Sequence, residues 1–319
     1  MNYTSKLSET IEVVIVSPVY NDWESFRCLL KALKEMASTA PYTIKHIVAV
    51  NDGSVEVIDY NFDSNFNITV VELNCNMGHQ RAISVGLSYV NDHLKDFDNV
   101  VVMDCDGEDR PEDIAKLVVR QDSIVFAKRE KRNEGFVFRF FYKIYKRIFS
   151  MLTTKHIDFG NFSSIPHSLL GKVVAIPELW NHYSGAIIKS KVPYVSISTD
   201  RGSRYQGESK MNFQSLVLHG LSSISIYLDV VSVRLLFLSF FCSAIVGLGL
   251  IGLLLLSVFT KVSFLDWPSI IGLVLINILA IVILITFLIL LFQLNQKSIV
   301  KYPPKSFYTS FILSTHHLN

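Results

Sequence analysis

Asp104-Cys105-Asp106-Gly107-Glu108-Asp109-Arg110-Pro111-Glu112-Asp113 is the stretch on which the reading of this chain turns. It follows a short apolar run, Val100 to Met103, that has the composition of a buried strand. Pro111 suits the first turn of a helix continuing through Leu117 and Val118. Asp104 and Asp106 therefore stand at a strand's C-terminal edge, where open α/β sheets bind ligands. Two carboxylates on alternate residues, with a glycine next, can hold a hard divalent cation through oxygen and leave its other positions to phosphate. A solvated acidic turn gives the same spacing and is the commoner case, so the neighbours decide.

Upstream, three more apolar runs end in polar clusters. Ile11 to Val16 leads to Ser17-Pro18-Val19-Tyr20-Asn21-Asp22, and Ile44 to Val50 leads to Asn51-Asp52-Gly53-Ser54. Ile68 to Leu73 leads to Asn74-Cys75-Asn76-Met77-Gly78-His79-Gln80. Between them, Trp23 to Ala37 and Ala82 to Val90 have helical periodicity. Strands alternating with helices predict a doubly wound α/β domain with a mostly parallel sheet, because parallel neighbours need crossover helices. Each cluster alone is ordinary turn chemistry. Four at equivalent strand ends would line one crevice with Asn21, Asp52, Asn76 and the Asp104/Asp106 pair. No GxGxxG follows the first strand and no GxxxxGK[ST] occurs, which removes the main support for a dinucleotide-dependent dehydrogenase or a P-loop ATPase.

The chain has 319 residues, half of them hydrophobic, and its apolar surplus is at one end. No charged residue occurs from Leu235 to Phe259 or from Trp267 to Gln296. Each stretch exceeds the roughly 20 residues that cross a hydrocarbon core. The short connection Thr260 to Asp266 makes the two spans an antiparallel hairpin. Arg234 before the first span, and Lys297, Lys301 and Lys305 after the second, place the N-terminal domain in the cytosol by the positive-inside rule. No signal peptide is visible, and four cysteines without a CxxC pair suit a reducing compartment. The net charge of +2 says little about partners. Its distribution says more: Lys128 to Arg147 carries eight basic and two acidic side chains. Wound as a helix, residues 136–152 set Arg139, Lys143, Lys146 and Arg147 on one side and Phe141, Ile144, Tyr145, Ile148 and Leu152 on another, a pattern suited to a lipid headgroup surface. Phe213 to Leu228 is a second amphipathic stretch, with a core helix as its serious competitor.

The four strand-end clusters, taken in order, resemble the successive motifs of glycosyltransferase family 2. Arg204-Tyr205-Gln206-Gly207-Glu208-Ser209-Lys210 matches the R-x-x-G-E-S-K motif of its polyprenyl-phosphate branch, and Asp158-Phe159-Gly160 takes the place of an acidic motif in the acceptor half. That branch includes bactoprenol glucosyltransferases and dolichol-phosphate mannose synthases, and the resemblance runs from about Ile11 to Phe292. Three departures stand out: Asn51 replaces the Asp that usually opens the second motif, Asn161 to Ser168 lacks the arginines common in relatives, and the tail after the second span differs from that of the bactoprenol type.

The resemblance implies a GT-A fold and inverting transfer of a sugar from a nucleotide-sugar, UDP-linked by the bactoprenol likeness, to a polyprenyl phosphate such as undecaprenyl phosphate. By it, Pro18, Tyr20 and Asn21 border base and ribose, Asp52 accepts from the base, and Asp104 contacts the nucleoside side. Asp106 ligates Mg²⁺ or Mn²⁺. An acceptor phosphate, with a second pKa near about 6, needs charge stabilisation more than a base. Arg204 and Lys210 are the first candidates, with Ser209 beside them and Arg129 and Arg132 behind them; Asp158 positions sugar or acceptor.

The expected layout is a catalytic domain over 1–210 that includes the interfacial helix, and a juxtamembrane helix within 211–232. A hairpin follows over 233–296, with spans near 235–259 and 268–294, and then a cytosolic tail over 297–319. The expected partners are donor, lipid acceptor and membrane, with no nucleic acid, and a hairpin this apolar can also pack on copies of itself. Two alternatives are a processive polysaccharide synthase, which would carry Q-x-x-R-W and more spans, and a non-catalytic scaffold that keeps the fold. A mannose synthase using GDP-mannose fits the same frame.

Overall fold

The computed structural model describes residues 10–56, 59–129, 147, 150, 151, 153, 159–206, 221, 222, 224–259, 267–298 and 302–318. They fall into two compact units. The first comprises Met1–Phe141, Ile157–Ile226 and Lys301–Asn319, and the second Tyr142–His156 and Tyr227–Val300.

In the first unit the apolar runs form β1 (Ile11–Val19), β2 (Tyr42–Asn51), β3 (Ile68–Leu73) and β4 (Asn99–Val102). All four run parallel, in the order β4-β1-β2-β3. Helix α1 (Trp23–Ala37) and helix α2 (His79–His93) are the crossovers the periodicity predicts. After the acidic stretch, Pro111 opens a 3-10 turn that runs into the short helix α3 (Ile114–Leu117). The strands β5 (Ile124–Arg129), β6 (Ser163–Pro166) and β7 (Tyr194–Thr199), with helices α4 (His167–Val173) and α5 (Tyr183–Ser190), extend the sheet past β4. β6 pairs antiparallel with both β4 and β5, while β7 is parallel to β5.

Alternation along the strands splits the core into two layers, as a sheet covered on both faces requires. Val14, Val16, Val48, Val50, Val100 and Val102 pack under α2, α4 and α5. Val13, Ile15, Ile47, Val101 and Met103 pack under Trp23, Phe26, Leu29 and Leu33 of α1. Fully burying a side chain of this kind contributes about 1.5–3 kcal/mol, so these two layers supply most of the drive to fold.

Residues 304–318, read from the sequence as tail, fold back onto this sheet. A short helix, α8 (Pro304–Phe307), is followed by β8 (Ile312–Leu318), which pairs antiparallel with β3 and ends the order β7-β5-β6-β4-β1-β2-β3-β8 among the described residues. The buried Tyr308 donates its hydroxyl to Asp92 at the end of α2 (2.9 Å).

The second unit is dominated by two antiparallel helices, α6 (Leu228–Phe259) and α7 (Trp267–Ser298). Both extend beyond the spans expected from the charge-free runs, and α6 takes in Asp229 and Arg234. Their most apolar parts, Leu228–Leu256 and Ile270–Leu294, are 29 and 25 residues long. At 1.5 Å per residue that is about 43 and 37 Å, enough for a hydrocarbon core of about 30 Å. Two buried hydroxyls in the helices are satisfied within them, as apolar surroundings demand: Ser239 donates to Leu235 O (2.7 Å) and Thr286 to Val282 O (2.6 Å). All but residues 147, 150 and 151 of the interfacial helix expected over 136–152, and half of the juxtamembrane stretch 211–232, lie outside the described residues.

Candidate active site

Parallel pairing delivers the C-terminal tips of β1, β2 and β4 to one edge, and backbone bonds join the tips. Asp52 N–H donates to Val19 O (2.9 Å), and Met103 N–H to Val16 O (3.1 Å). Asn21, at φ 47°, tolerates the left-handed region because its short amide can bond locally. Its N–H donates to Ser54 Oγ (2.9 Å), and its Oδ1 accepts from Val55 N–H (2.9 Å). Tyr20 is left exposed at the mouth.

The buried Asn51 accounts for its own departure from the family motif. Its amide donates to Glu72 Oε2 (2.8 Å) while its Oδ1 accepts from Ser54 N–H (3.0 Å). An aspartate there would face the Glu72 carboxylate with no proton between them. The two oxygens of Asp52 accept from Met77 N–H (2.7 Å) and Gly78 N–H (3.0 Å). Burial raises its pKa against the pull of those two amides. It pins the turn that starts α2, which brings His79 and Gln80 to the edge.

At the acidic stretch, Asp106 Oδ1 accepts from Glu108 N–H (2.9 Å), which fixes the carboxylate. Its Oδ2 accepts from Arg204 Nη2 (2.6 Å) and Nε (3.1 Å). Burial, then the charge of Asp104, raises the Asp106 pKa in spite of Arg204. For Asp104, burial works the same way but is outweighed by His79, Arg129 and Arg204, which hold its carboxyl below the usual range. His79 Nε2 lies 3.2 Å from Asp104 Oδ1 and 2.9 Å from Asn161 Nδ2. Desolvation opposes charge on that imidazole, and Asp104, Asp109 and Asp52 overcome it and raise its pKa. Gln80 accepts from Tyr183 N–H (2.6 Å) and donates to Asn161 Oδ1 (3.3 Å), tying α2 to α5 and to the turn before β6.

The segment 200–205 is bonded along the acidic stretch. Tyr205 N–H donates to Asp106 O (2.8 Å), Gly202 N–H to Glu108 O (2.9 Å), and Arg201 Nη2 to Glu108 Oε1 (2.7 Å). Both glycines are needed there. A Cβ on Gly202 would lie 2.1 Å from Gly107 O, and Gly107 itself sits at φ +91° against Ser203 O and the Tyr205 ring.

Of the expected residues, Tyr20, Asn21, Asp52, Asp104 and Asp106 stand at or just past the strand tips, Arg204 is bonded to Asp106, and Pro18 lies in β1 in register with Val50. Arg129 is drawn into the frame instead of facing open space: Nη1 reaches Glu108 Oε2 (3.0 Å) and Nη2 the buried Asp109 Oδ1 (2.8 Å). Asp158, Arg132, Ser209 and Lys210 lie outside the described residues. Phe159, beside Asp158, stacks on Phe126 with ring centroids 4.2 Å apart. Sequence reasoning assigned no role to Glu108, Asp109, Asn161 or Arg201. Glu108 and Asp109 lay inside the decisive stretch, while nothing local marks Asn161 or Arg201.

Among the described residues no group of three or more His, Cys, Asp or Glu side chains forms a metal cage. What the tip offers is Asp106 Oδ2, already holding a guanidinium cation, and Asp104 Oδ1, buried 3.2 Å from His79 Nε2. Such a set suits a hard cation that takes one or two protein carboxylates and fills its shell with phosphate and water.

Among curated proteins, the chain is 28% identical over 231 residues to an uncharacterized glycosyltransferase of Synechocystis sp., covering 68% of this chain and 70% of that one. It is 25% identical over 237 residues to the bactoprenol glucosyl transferase of Shigella phage SfX, covering 68% and 73%. Among solved structures, glucosyl-3-phosphoglycerate synthase from Mycobacterium tuberculosis in complex with UDP superposes with a TM-score of 0.48 at 10% identity, covering 69% of this chain and 80% of that one. The profile of Glycosyl transferase family 2 matches residues 14–180, from the first buried strand to the turn after α4, so more than half of the chain is matched and the protein belongs to that family.

Proposed function

We propose that this glycosyltransferase moves a sugar from a nucleotide-sugar, with a divalent cation at Asp106, onto a polyprenyl phosphate at a membrane surface. The observation that carries the reading is the 2.6 Å contact between Asp106 and Arg204, which sets the cation-binding carboxylate directly against the arginine of the R-x-x-G-E-S-K segment. A bactoprenol glucosyl transferase among the relatives, and two helices long enough to span a bilayer, support the lipid acceptor.

The chain's own residues do the rest. Pro18, Tyr20 and Asn21 border the base and ribose, Asp104 contacts the nucleoside side, and Asp52 accepts from the base while it holds the 77–78 turn. Mg²⁺ or Mn²⁺, when bound, neutralises the diphosphate leaving group. Arg204 and Lys210 offset the charge of the acceptor phosphate, which attacks without a general base, in one displacement that inverts the anomeric carbon. Asp158 positions sugar or acceptor. The hairpin keeps this domain on the cytosolic face, where an apolar lipid tail and a dissolved donor meet.

The test is to incubate the purified protein with undecaprenyl phosphate, Mn²⁺ and a panel of radiolabelled UDP- and GDP-sugars, and to extract the lipid product. A lipid-soluble sugar phosphate is expected, most strongly with a UDP-sugar. Transfer from GDP-mannose alone would select the mannose synthase reading. No lipid product from any donor would overturn the acceptor assignment.

A further inference from the structure

Asp106 Oδ2, on the carboxylate whose other oxygen accepts from Glu108 N–H, takes both Nη2 and Nε of Arg204. A guanidinium and a divalent cation cannot share one oxygen at contact distance, because their mutual repulsion grows as the distance shrinks. Nor can the segment swing clear to make room. Its backbone is bonded to that of residues 106 and 108 through Tyr205 and Gly202, and Arg201 holds Glu108. The glycine contact at 107 and 202 leaves no slack between the two strips of backbone. The long side chain of Arg204 can move where its backbone cannot, and among the described residues it also reaches Glu108 (Nε to Oε1, 3.5 Å).

We propose that Arg204 is an internal placeholder for the divalent cation. It neutralises the acidic tip while the site is empty, and it is displaced from Asp106 when the cation enters with the donor diphosphate. On the reading given under Proposed function, which this last step rests on, the displaced guanidinium then meets the acceptor phosphate, so the donor complex must form before the acceptor is captured. One residue thereby serves two anions in turn.

The test uses Mn²⁺ alone, titrated into the purified full-length protein and followed by loss of the electron paramagnetic resonance signal of free Mn²⁺. Arg204→Ala is expected to bind Mn²⁺ at least about tenfold more tightly than wild type, since a charge-assisted competitor is gone. Arg204→Lys is expected to fall between them. Asp106→Asn is expected to abolish binding in either background. In parallel, Arg204→Ala without metal should unfold at a lower temperature than wild type, and saturating Mn²⁺ should raise its midpoint more. If the alanine variant does not fold, Arg204→Gln keeps the bulk and the planar end while removing the charge. Equal or weaker Mn²⁺ binding by the Arg204 variants, binding that survives Asp106→Asn, or no binding by any variant would each overturn the proposal. The transfer assay is independent: tighter Mn²⁺ binding without lipid product defeats the acceptor reading only, and lipid product with unchanged Mn²⁺ affinity defeats the placeholder only.

Discussion

Asp106 and Arg204 are 98 positions apart, yet they share the shortest ion pair at the site. Both side chains are mostly screened from water, so removing one partner leaves a poorly solvated charge, which costs more than the pair contributes when intact. Asp106→Ala is therefore expected to lower transfer by at least about a hundredfold through loss of the cation, with unchanged turnover in the lipid-product assay as the contrary result. At Asn51 the logic is that of like charges. Asn51→Asp should cost about 1–3 kcal/mol in urea unfolding at pH 7, because a buried carboxylate would then face the half-buried one of Glu72. Adding Glu72→Gln should recover most of it. Glu108 gives a pH dependence. Burial opposes its ionisation, but Arg201, Arg129 and Arg204 win and hold its folded pKa below the unfolded one. Its stabilising effect is thus fully present above the unfolded value of about 4.3 and is lost as pH falls through the lower folded value. Glu108→Gln should be less stable than wild type at pH 7, and the gap should close in acid titrations below about pH 4.

At the level of elements, α2 is the piece on which the site hangs. Asp52 fixes its entry, its first residues carry His79 and Gln80, and Asp92 near its end receives Tyr308 from the returning C-terminal segment. That segment also covers the free edge of β3, where Thr69 Oγ1 lies between His46 Nε2 (2.8 Å) and His317 Nδ1 (3.0 Å). An uncovered parallel edge is a template for association. A chain ending at Pro303 is therefore expected to aggregate more readily than the full chain in light scattering at equal concentration. Tyr308→Phe, which removes the hydroxyl's bonds to Asp92 (2.9 Å) and His93 Nε2 (3.3 Å) and keeps the ring, should cost about 1–3 kcal/mol. Equal solubility of the shortened chain would show that β8 is dispensable as an edge cover.

For the molecule as a whole, the path of the chain constrains its topology. Residues before α6 and residues after α7 belong to one sheet, since β8 pairs with β3. On the proposed reading, a chain that crossed a bilayer once could not place both there, so two crossings fit this pairing, and the two apolar helices are long enough to make them. Ser263 lies in the connection between those helices, whereas the exposed Cys75 lies in the first unit. With membrane-impermeant maleimide on intact cells, Ser263→Cys should be labelled from outside and Cys75 only after permeabilisation. Labelling of both on the same side would refute the hairpin.

Much of this was legible along the chain, because strand runs, helical periodicity and charge-free spans are local patterns, and local patterns survive without knowledge of the fold. The four strands with their polar ends, the crossover helices, the two long apolar helices and the Asp104/Asp106 tip all belong to that class. Only the tertiary structure decided where long-range partners fall. It turned a tail into the last strand of the sheet, committed Arg129 to Glu108 and Asp109, gave Asp52 to a backbone turn, and set Arg204 on Asp106. The physical reason is that a charged side chain takes whichever opposite charge the fold brings near, and sequence separation carries no record of that distance.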